Sequence, residues 1–518
     1  MSPEPQSSTS VRDFALDLQQ ALRADGGAGS ETWRTAVEQG LSQAYAAGDI
    51  VALCDVVQAI VSLLDAQGRL RDAVSEIDHA LVLARTDANA RAMLYSMRAT
   101  LLAACGDVPG VTQAVTDAQE SLRSADIPFA VAKCELNCAT ARLSLLDPAA
   151  DEHSLDLHPH GDARTADTLF LMSYLIPFRF AMGAGSESHP LVRTFRIQAT
   201  SANHEYRLSD ARLFEAAEGT IVSPLRMFRF GDPPKWHWLG NWRAAVLRFR
   251  QSVLSRDWAG AEESLQALLR ARRRSGHAQL DPISGFEMLF LALRERADDA
   301  SDAFRPPEAV HLLSLPSVFA GAEAVALDGS QHAATEWYRW FEANIPAGVT
   351  TSLEWPVSRW RIQALLALRA GNERAAKRDC ERAIEWATAA KYPVELAAAQ
   401  LQLSELLRHR GGANRSWRQL REAGSDGLRA VGLDPAVFAY AVARTAPAGG
   451  KDGLASKLTP RETEVLAHLA DGLTYRAVGD LLGVKWTTVQ TLAHRCYEKL
   501  DASGRRAAVA RARELGIL

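Results

Sequence analysis

One spacing constrains the fold of this 518-residue chain more than any other: a glycine, a small residue five positions later, a bulky one nine later, and an alanine or other apolar residue twelve later. Gly68 with Ala73, Ile77 and Ala80 fits completely, as does Gly371 with Ala376, Cys380 and Ala383. Gly411 with Ser416, Leu420 and Ala423 carries serine at the small position. Gly106 (Val111, Val115, Ala118) and Gly329 (Ala334, Tyr338, Phe341) each carry one substitution, and Arg256 with Ala261, Leu265 and Leu268 lacks the glycine. These offsets place a turn ahead of a helix whose small residues admit a neighbouring helix closely and whose bulky residue fills the groove. With 47% apolar residues, 23% charged ones and few alternating β-branched runs, the chain is expected to be all-α.

The pattern resembles the second helix of tetratricopeptide-type helical hairpins. Its neighbouring turn glycines lie 38 residues apart (68 to 106), 42 apart (329 to 371) and 40 apart (371 to 411), against a usual period of about 34. Divergent repeats with lengthened helices follow, stacked as an α-solenoid because no single hairpin buries its own apolar face. An irregular helical domain with coincidental glycines is the competing reading.

Changes in pattern divide the chain. Residues 1–10 are expected to be disordered, 11–150 to hold the first half of the helical repeats, and 241–444 the second half. Between 151 and 240 the repeat fades into loop-like stretches such as "DPAADEHSLDLHPHGDAR" and "GDPPKWHWLGNW", which predicts an irregular helical and loop region. "TAPAGGKDGLASK", residues 445–457, has no apolar period and is expected to be a flexible linker before a separate domain at 458–518. "MSPEPQSSTS" has neither the basic start nor the apolar core of a secretory signal, and "LFLMSYLIPF" is far shorter than a membrane span, so a cytoplasmic chain without membrane association is expected. Six sparse cysteines form no CxxC pair; Cys134 and Cys138 share a helix face, where two core residues outweigh a metal or redox pair.

The last sixty residues carry the sharpest local pattern. In "LTPRETEVLAHLADGL", Thr459 can cap a helix, Pro460 suits its first position, Glu462 can reach back to the cap, and Gly472 ends it. Thr474 can cap "YRAVGDLL", which stops at Gly483; a third helix runs from about Trp486 to Leu500 and Ser503 can open a fourth. Short helix, glycine turn and longer helix is helix-turn-helix geometry, in which the second member lies in the DNA major groove. Val489, Leu492 or Ala493, Cys496 and Leu500 form its inward stripe, leaving Thr487, Gln490, Thr491, His494 and Glu498 outward. Glutamine bonds adenine, threonine bonds a base edge or touches a thymine methyl, and histidine reaches a base or phosphate. Residues 451–518 hold eleven Lys and Arg against eight Asp and Glu, a net +3 that leaves −7 on the rest. Arg476, Lys485, Arg505 and Arg506 are candidate phosphate contacts.

The region resembles the LuxR-type helix-turn-helix domain of bacterial transcription regulators through "LTPRETEVL", "GLTYRAVGDLLGV", "TTV", the closing "KL" and "AVARARELGIL". The resemblance implies a four-helix domain that binds double-stranded promoter DNA as a homodimer, in activators that often touch RNA polymerase. Helical repeats ahead of it resemble the large regulators of that group, which usually add an ATP-binding domain; this chain has no GxxxxGK[ST] motif, so no cofactor is expected. Carried onto this sequence, the family's base or phosphate contacts fall on Gln490, Thr491 and His494; with Thr487, Thr488 and Arg495 and the cations Arg476, Lys485 and Arg505 these make up the candidate DNA-binding residues. Three positions depart from the family: Lys485 replaces the usual Ser or Thr cap, Gln490 a frequent lysine, and Leu492 a frequent histidine.

Other signals weigh less. "HPHGD" (His158 to Asp162) with Asp151 and His153 lacks a second ligand cluster, so a polar loop is favoured over a metal or hydrolase site and no enzyme is expected. "LLRARRRSGH" reads as cations complementing a helix C-terminus, and Trp236, Trp238 and Trp242 as a core or domain junction. Two functions remain open: a regulator whose repeats receive a ligand or protein effector, and a repeat protein whose terminal domain binds a protein partner instead of DNA.

Overall fold

The computed structural model describes residues 69–150, 165–183, 185–225, 238–275, 284–294, 310–409, 416–435, 458–500 and 504–514, with a few positions outside these ranges, among them 53, 56–61 and 64. Every regular element among the described residues is an α-helix, so the fold is all-α. The chain divides into two compact units, Met1–Thr445 and Ala446–Leu518.

In the larger unit, α1 (Leu70–Leu83), α2 (Ala88–Ala104), α3 (Val108–Leu122) and α4 (Pro128–Ser144) open the series. Helix α2 packs on α1, α3 and α4, so successive hairpins meet through their first helices. Helices α5 (Thr165–Ala181), α6 (Gly185–Ser201), α7 (Glu205–Val222), α8 (Trp238–Ser255), α9 (Trp258–Ser275) and α10 (Ser284–Leu293) follow, each packed on the next. Then come α11 (Leu315–Asp328), α12 (Gln331–Asn344), α13 (Arg359–Arg369), α14 (Glu373–Ala389), α15 (Pro393–His409) and α16 (Ser416–Ala430). Helix α11 meets both α12 and α13, as α2 meets α3 and α4, and α15 also meets α7. Within 151–240, expected to mix irregular helix and loop, the described residues hold three helices, α5 to α7, with Pro177 and Pro190 inside two of them.

A backbone angle, rather than a residue type, marks the turns. Gly106 and Gly371 adopt φ of 72° and 80°, the left-handed region that costs glycine nothing. At the first, Asp107 N–H donates to Leu102 O (3.0 Å); at the second, Asn372 N–H donates to Ala367 O (2.8 Å). These bonds satisfy the orphaned carbonyls of the preceding helix. Arg256, which lacks the glycine, holds the same conformation at φ 58°, with Asp257 N–H bonded to Ser252 O at 2.9 Å. Asn203 and Lys391 do likewise ahead of α7 and α15, turns that a glycine-based pattern misses. The next residue then caps the following helix: Asp107 accepts from Gly110 N–H, Asp257 from Gly260 N–H and Asn372 from Ala375 N–H, at 3.0, 3.0 and 3.1 Å.

Of the patterned positions, Ala73, Ile77, Ala80, Val111, Val115, Ala118, Ala261, Leu265, Leu268, Ala334, Phe341, Ala376, Cys380 and Ala383 are buried. The last repeat slips: Ala423 is exposed, while Gly424 and Leu428 face inward. A Cβ at Gly424 would lie 2.7 Å from Ala397 O, so the close approach to α15 falls there. "LFLMSYLIPF" lies within α5, with Leu169, Leu171, Met172, Leu175 and Ile176 fully buried. Among the described residues no helix is long and apolar enough to cross a membrane. Trp242 is buried in the same core, whereas Trp236, the Trp238 side chain and the histidine loop at 151–162 lie outside the described residues.

Charges are also buried. Asp210 of α7 sits between Arg207 (3.3 Å) and Arg243 of α8 (3.5 Å), and Arg243 also donates to Glu354 at 3.0 Å. Arg361 of α13 bridges Glu323 of α11 (3.0 Å) and Glu395 of α15 (2.9 Å). Arg359 binds the carbonyls of Pro346 and Val349 at 2.7 and 3.1 Å, satisfying the buried chain between α12 and α13. Such pairs specify geometry more than they stabilise, yet removing one partner costs about 3–5 kcal/mol because a charge is left unpaired.

Candidate nucleic-acid interface

The smaller unit is built from α17 (Pro460–Ala470), α18 (Tyr475–Leu482), α19 (Trp486–Lys499) and α20 (Arg505–Glu514). Val465, Leu466, Leu469, Val478, Val489, Ala493, Cys496, Leu500, Ala508 and Ala512 close its core. Thr459 and Glu462 form a reciprocal capping box at the start of α17, the Glu462 carboxylate accepting from Thr459 N–H at 2.7 Å. The same carboxylate receives Lys499 Nζ at 2.5 Å, and Cys496 Sγ donates to Glu462 O at 3.2 Å, so the start of α17 is fastened to the last turn of α19. Burial alone would raise the Glu462 carboxyl; Lys499 and the Thr459 N–H and hydroxyl outweigh it and hold it below the ordinary carboxylate range.

Glycines set the angle between α18 and α19. Gly472 (φ 92°) ends α17, and Thr474 caps α18 by accepting from Ala477 N–H at 3.3 Å. Gly483 ends α18 at φ 65°. Gly479 is buried where the turn folds back: a Cβ there would lie 2.8 Å from Val484 O and 3.3 Å from Trp486 N. Only glycine permits that crossing. Arg461 Nη2 caps the end of α18 by donating to Leu482 O at 2.7 Å. The hydroxyls of Tyr475 and Tyr497 meet at 3.0 Å between α18 and α19.

Helix α19 then presents a divided surface. Lys485 O accepts from Thr488 N–H (2.9 Å) and Val489 N–H (3.2 Å), which puts Lys485 at the cap position with a side chain that has no acceptor. Val489, Ala493, Cys496 and Leu500 point inward, and Leu492 is half-buried beside them. Thr487, Thr491 and His494 are exposed on one stripe, with Thr488 and Arg495 exposed next to it. Gln490 is half-buried, the Glu498 side chain lies outside the described residues, and Arg476 is exposed on α18. The Thr491 hydroxyl donates to Thr487 O at 2.9 Å, and the His494 ring stands edge-on to Tyr497 at 5.8 Å. Arg505 differs from the other cations: its Nε and Nη2 donate to Leu469 O at 3.0 and 2.5 Å, capping α17, while Arg506 is the exposed member of the pair. Sequence reasoning gave no role to Trp486 and Leu481, which are 50% and 62% exposed at the entrance to α19. The signal was there, because both fall off the apolar stripe.

Residues 456–512 match the family model of bacterial regulatory proteins, luxR family. The chain carries a LuxR-type helix-turn-helix domain. That domain supports a DNA-binding regulatory protein. No curated protein matches the chain. Among the described residues no group of three or more His, Cys, Asp or Glu is placed to hold a metal ion. Cys134 and Cys138 are both buried, one turn apart on α4.

Proposed function

We propose that this protein is a transcription regulator whose LuxR-type domain reads promoter DNA as a homodimer, under control of a signal received by the helical repeats. The observation that carries this reading is the exposed polar stripe of α19, opposed to a core stripe on the same helix. Thr487, Thr488, Gln490, Thr491 and His494 address base edges; Arg476, Lys485 and Arg495 meet phosphates. Arg505 acts indirectly, by holding the end of α17 in place. RNA polymerase is the further partner this reading implies. The repeats are tetratricopeptide-like in the pairing of their helices, and the protein works in the cytoplasm; residues 445–457, read from sequence as a linker, lie outside the described residues.

Selection of genomic fragments by the full chain tests the reading. Enrichment of a shared motif, abolished when Gln490, Thr491 and His494 are changed to Ala, is expected; each good base contact contributes about 1–3 kcal/mol of discrimination. No enrichment, or enrichment indifferent to the triple change, would overturn it. Trp486 and Leu481 favour a second reading, a domain that docks on a protein, because both are large apolar residues left exposed. Loss of partner capture on Trp486→Ala with DNA enrichment unchanged is the result that separates the two.

A further inference from the structure

Between α7, α8 and α15 the larger unit encloses polar groups whose hydrogen-bonding capacity the described residues leave unused. Arg250 of α8 is buried, and among the described residues its bond is to Thr220 Oγ1 of α7, at 3.1 Å. No carboxylate lies in ion-pair range of it among the described residues, although Glu323 and Glu395 are close enough to act on it electrostatically. Both of those are already bonded to Arg361, at 3.0 and 2.9 Å. The Arg250 guanidinium is pulled down to about 10 because burial outweighs these more distant charges.

The neighbouring polar atoms point the same way. The Tyr392 hydroxyl is buried with no hydrogen-bond partner among the described residues, and Tyr392 lies within electrostatic reach of both Arg250 and Glu218. Glu218 bonds His189 through Oε2 at 3.0 Å, but its Oε1 is buried and unpartnered. Apolar surroundings come from Phe180, Ile221 and Leu247, which share a core cluster with Tyr392. An unsatisfied buried polar group is destabilising, and native interiors meet that cost by hydrogen bonding to protein, water or a ligand.

We propose that this cluster is a binding site for a small carboxylate with an apolar body, its carboxylate held by the Arg250 fork and the Tyr392 hydroxyl. A guanidinium fork matches a carboxylate in bidentate geometry, and the apolar cluster receives the remainder of the molecule. Glu218, through its buried Oε1, supplies a polar group that distinguishes one carboxylate from another. This site deepens the reading of the repeats as a receiver of signals, and rests on it for its regulatory meaning.

Calorimetric titration of the full chain with acetate, butyrate, octanoate and benzoate, each beside its carboxamide, tests the site. At least one carboxylate is expected to bind, with its amide and the Arg250→Met variant each weaker by about tenfold or more, and Tyr392→Phe weaker by about fivefold. Arg250→Lys, which keeps the charge and loses the fork, is expected to fall between, and it replaces Arg250→Met if that variant fails to fold by circular dichroism. Absence of binding by all four carboxylates, or binding indifferent to Arg250 and Tyr392, would mean that water alone completes the cluster. A carboxylate that binds without altering the protein's affinity for its selected DNA leaves the site standing and removes the signalling role; DNA selection with no carboxylate binding does the reverse.

Discussion

Glu462 shows how much one side chain can carry. It completes a cap, accepts Lys499 across the domain, and its own carbonyl receives the Cys496 thiol. Because its folded pKa is depressed, its contribution is present above the ordinary carboxylate range, near pH 4.3, and is lost as pH falls through the lowered value. Glu462→Gln is therefore expected to destabilise the smaller unit at pH 7 and to flatten its acid dependence, measured as midpoint against pH in thermal melts. Gly479→Val is expected to disrupt the angle between α18 and α19 and abolish DNA binding, since the new side chain meets backbone atoms that cannot yield. Arg476→Ala should leave sequence preference intact while lowering the slope of log affinity against log salt by about 0.9, as expected for one lost phosphate contact.

At the scale of elements, the hairpin turns were legible only in part. The glycine pattern found turns where left-handed backbone coincides with glycine, as at Gly106 and Gly371, and it found the Arg256 repeat through its downstream apolar residues. It passed over Asn203 and Lys391, where a non-glycine residue bears the same strain and no letter marks it. The Asp or Asn that caps the next helix directly after Gly106, Arg256 and Gly371 is a second signal for those turns, but His204 and Tyr392 follow the two missed ones and carry no such mark. Gly371→Ala is expected to lower stability by about 1 kcal/mol, and Asn372→Ala by about the same amount through loss of the cap. Arg256→Gly should move the midpoint less than Gly371→Ala does, with the relief of strain set against greater freedom of the unfolded chain; urea titration reads both. In the smaller domain the caps, the core stripe and the glycine turns were all readable locally. The Arg505 bond to Leu469 O was not, because it joins residues 36 positions apart.

For the whole molecule, each compact unit has its own core, and destabilisation is expected to stay within the unit that receives it. Asp210→Asn, which leaves Arg207 and Arg243 with a weakened shared acceptor, should lower the melting transition of the larger unit and spare that of the smaller; Glu462→Gln should do the opposite. Differential scanning calorimetry on the full chain distinguishes this from a single cooperative unit, in which both changes would move one common transition. The buried ion clusters were not foreseeable from sequence, because nothing local marks Arg243 and Arg361 on their helices, or Glu354 in the chain between α12 and α13, as buried. Their burial depends on which helices come together over long separations, such as α7 with α15.

The Thr491 hydroxyl, whose proton is already given to Thr487 O, has one further consequence. Toward the groove it offers only lone pairs and a methyl group, so on the proposed reading it accepts from an exocyclic amine or packs against a thymine 5-methyl, and it does not donate to guanine. Replacing thymine by uracil at the base step it faces, a change of one methyl in the DNA and none in the protein, should weaken binding at that step alone.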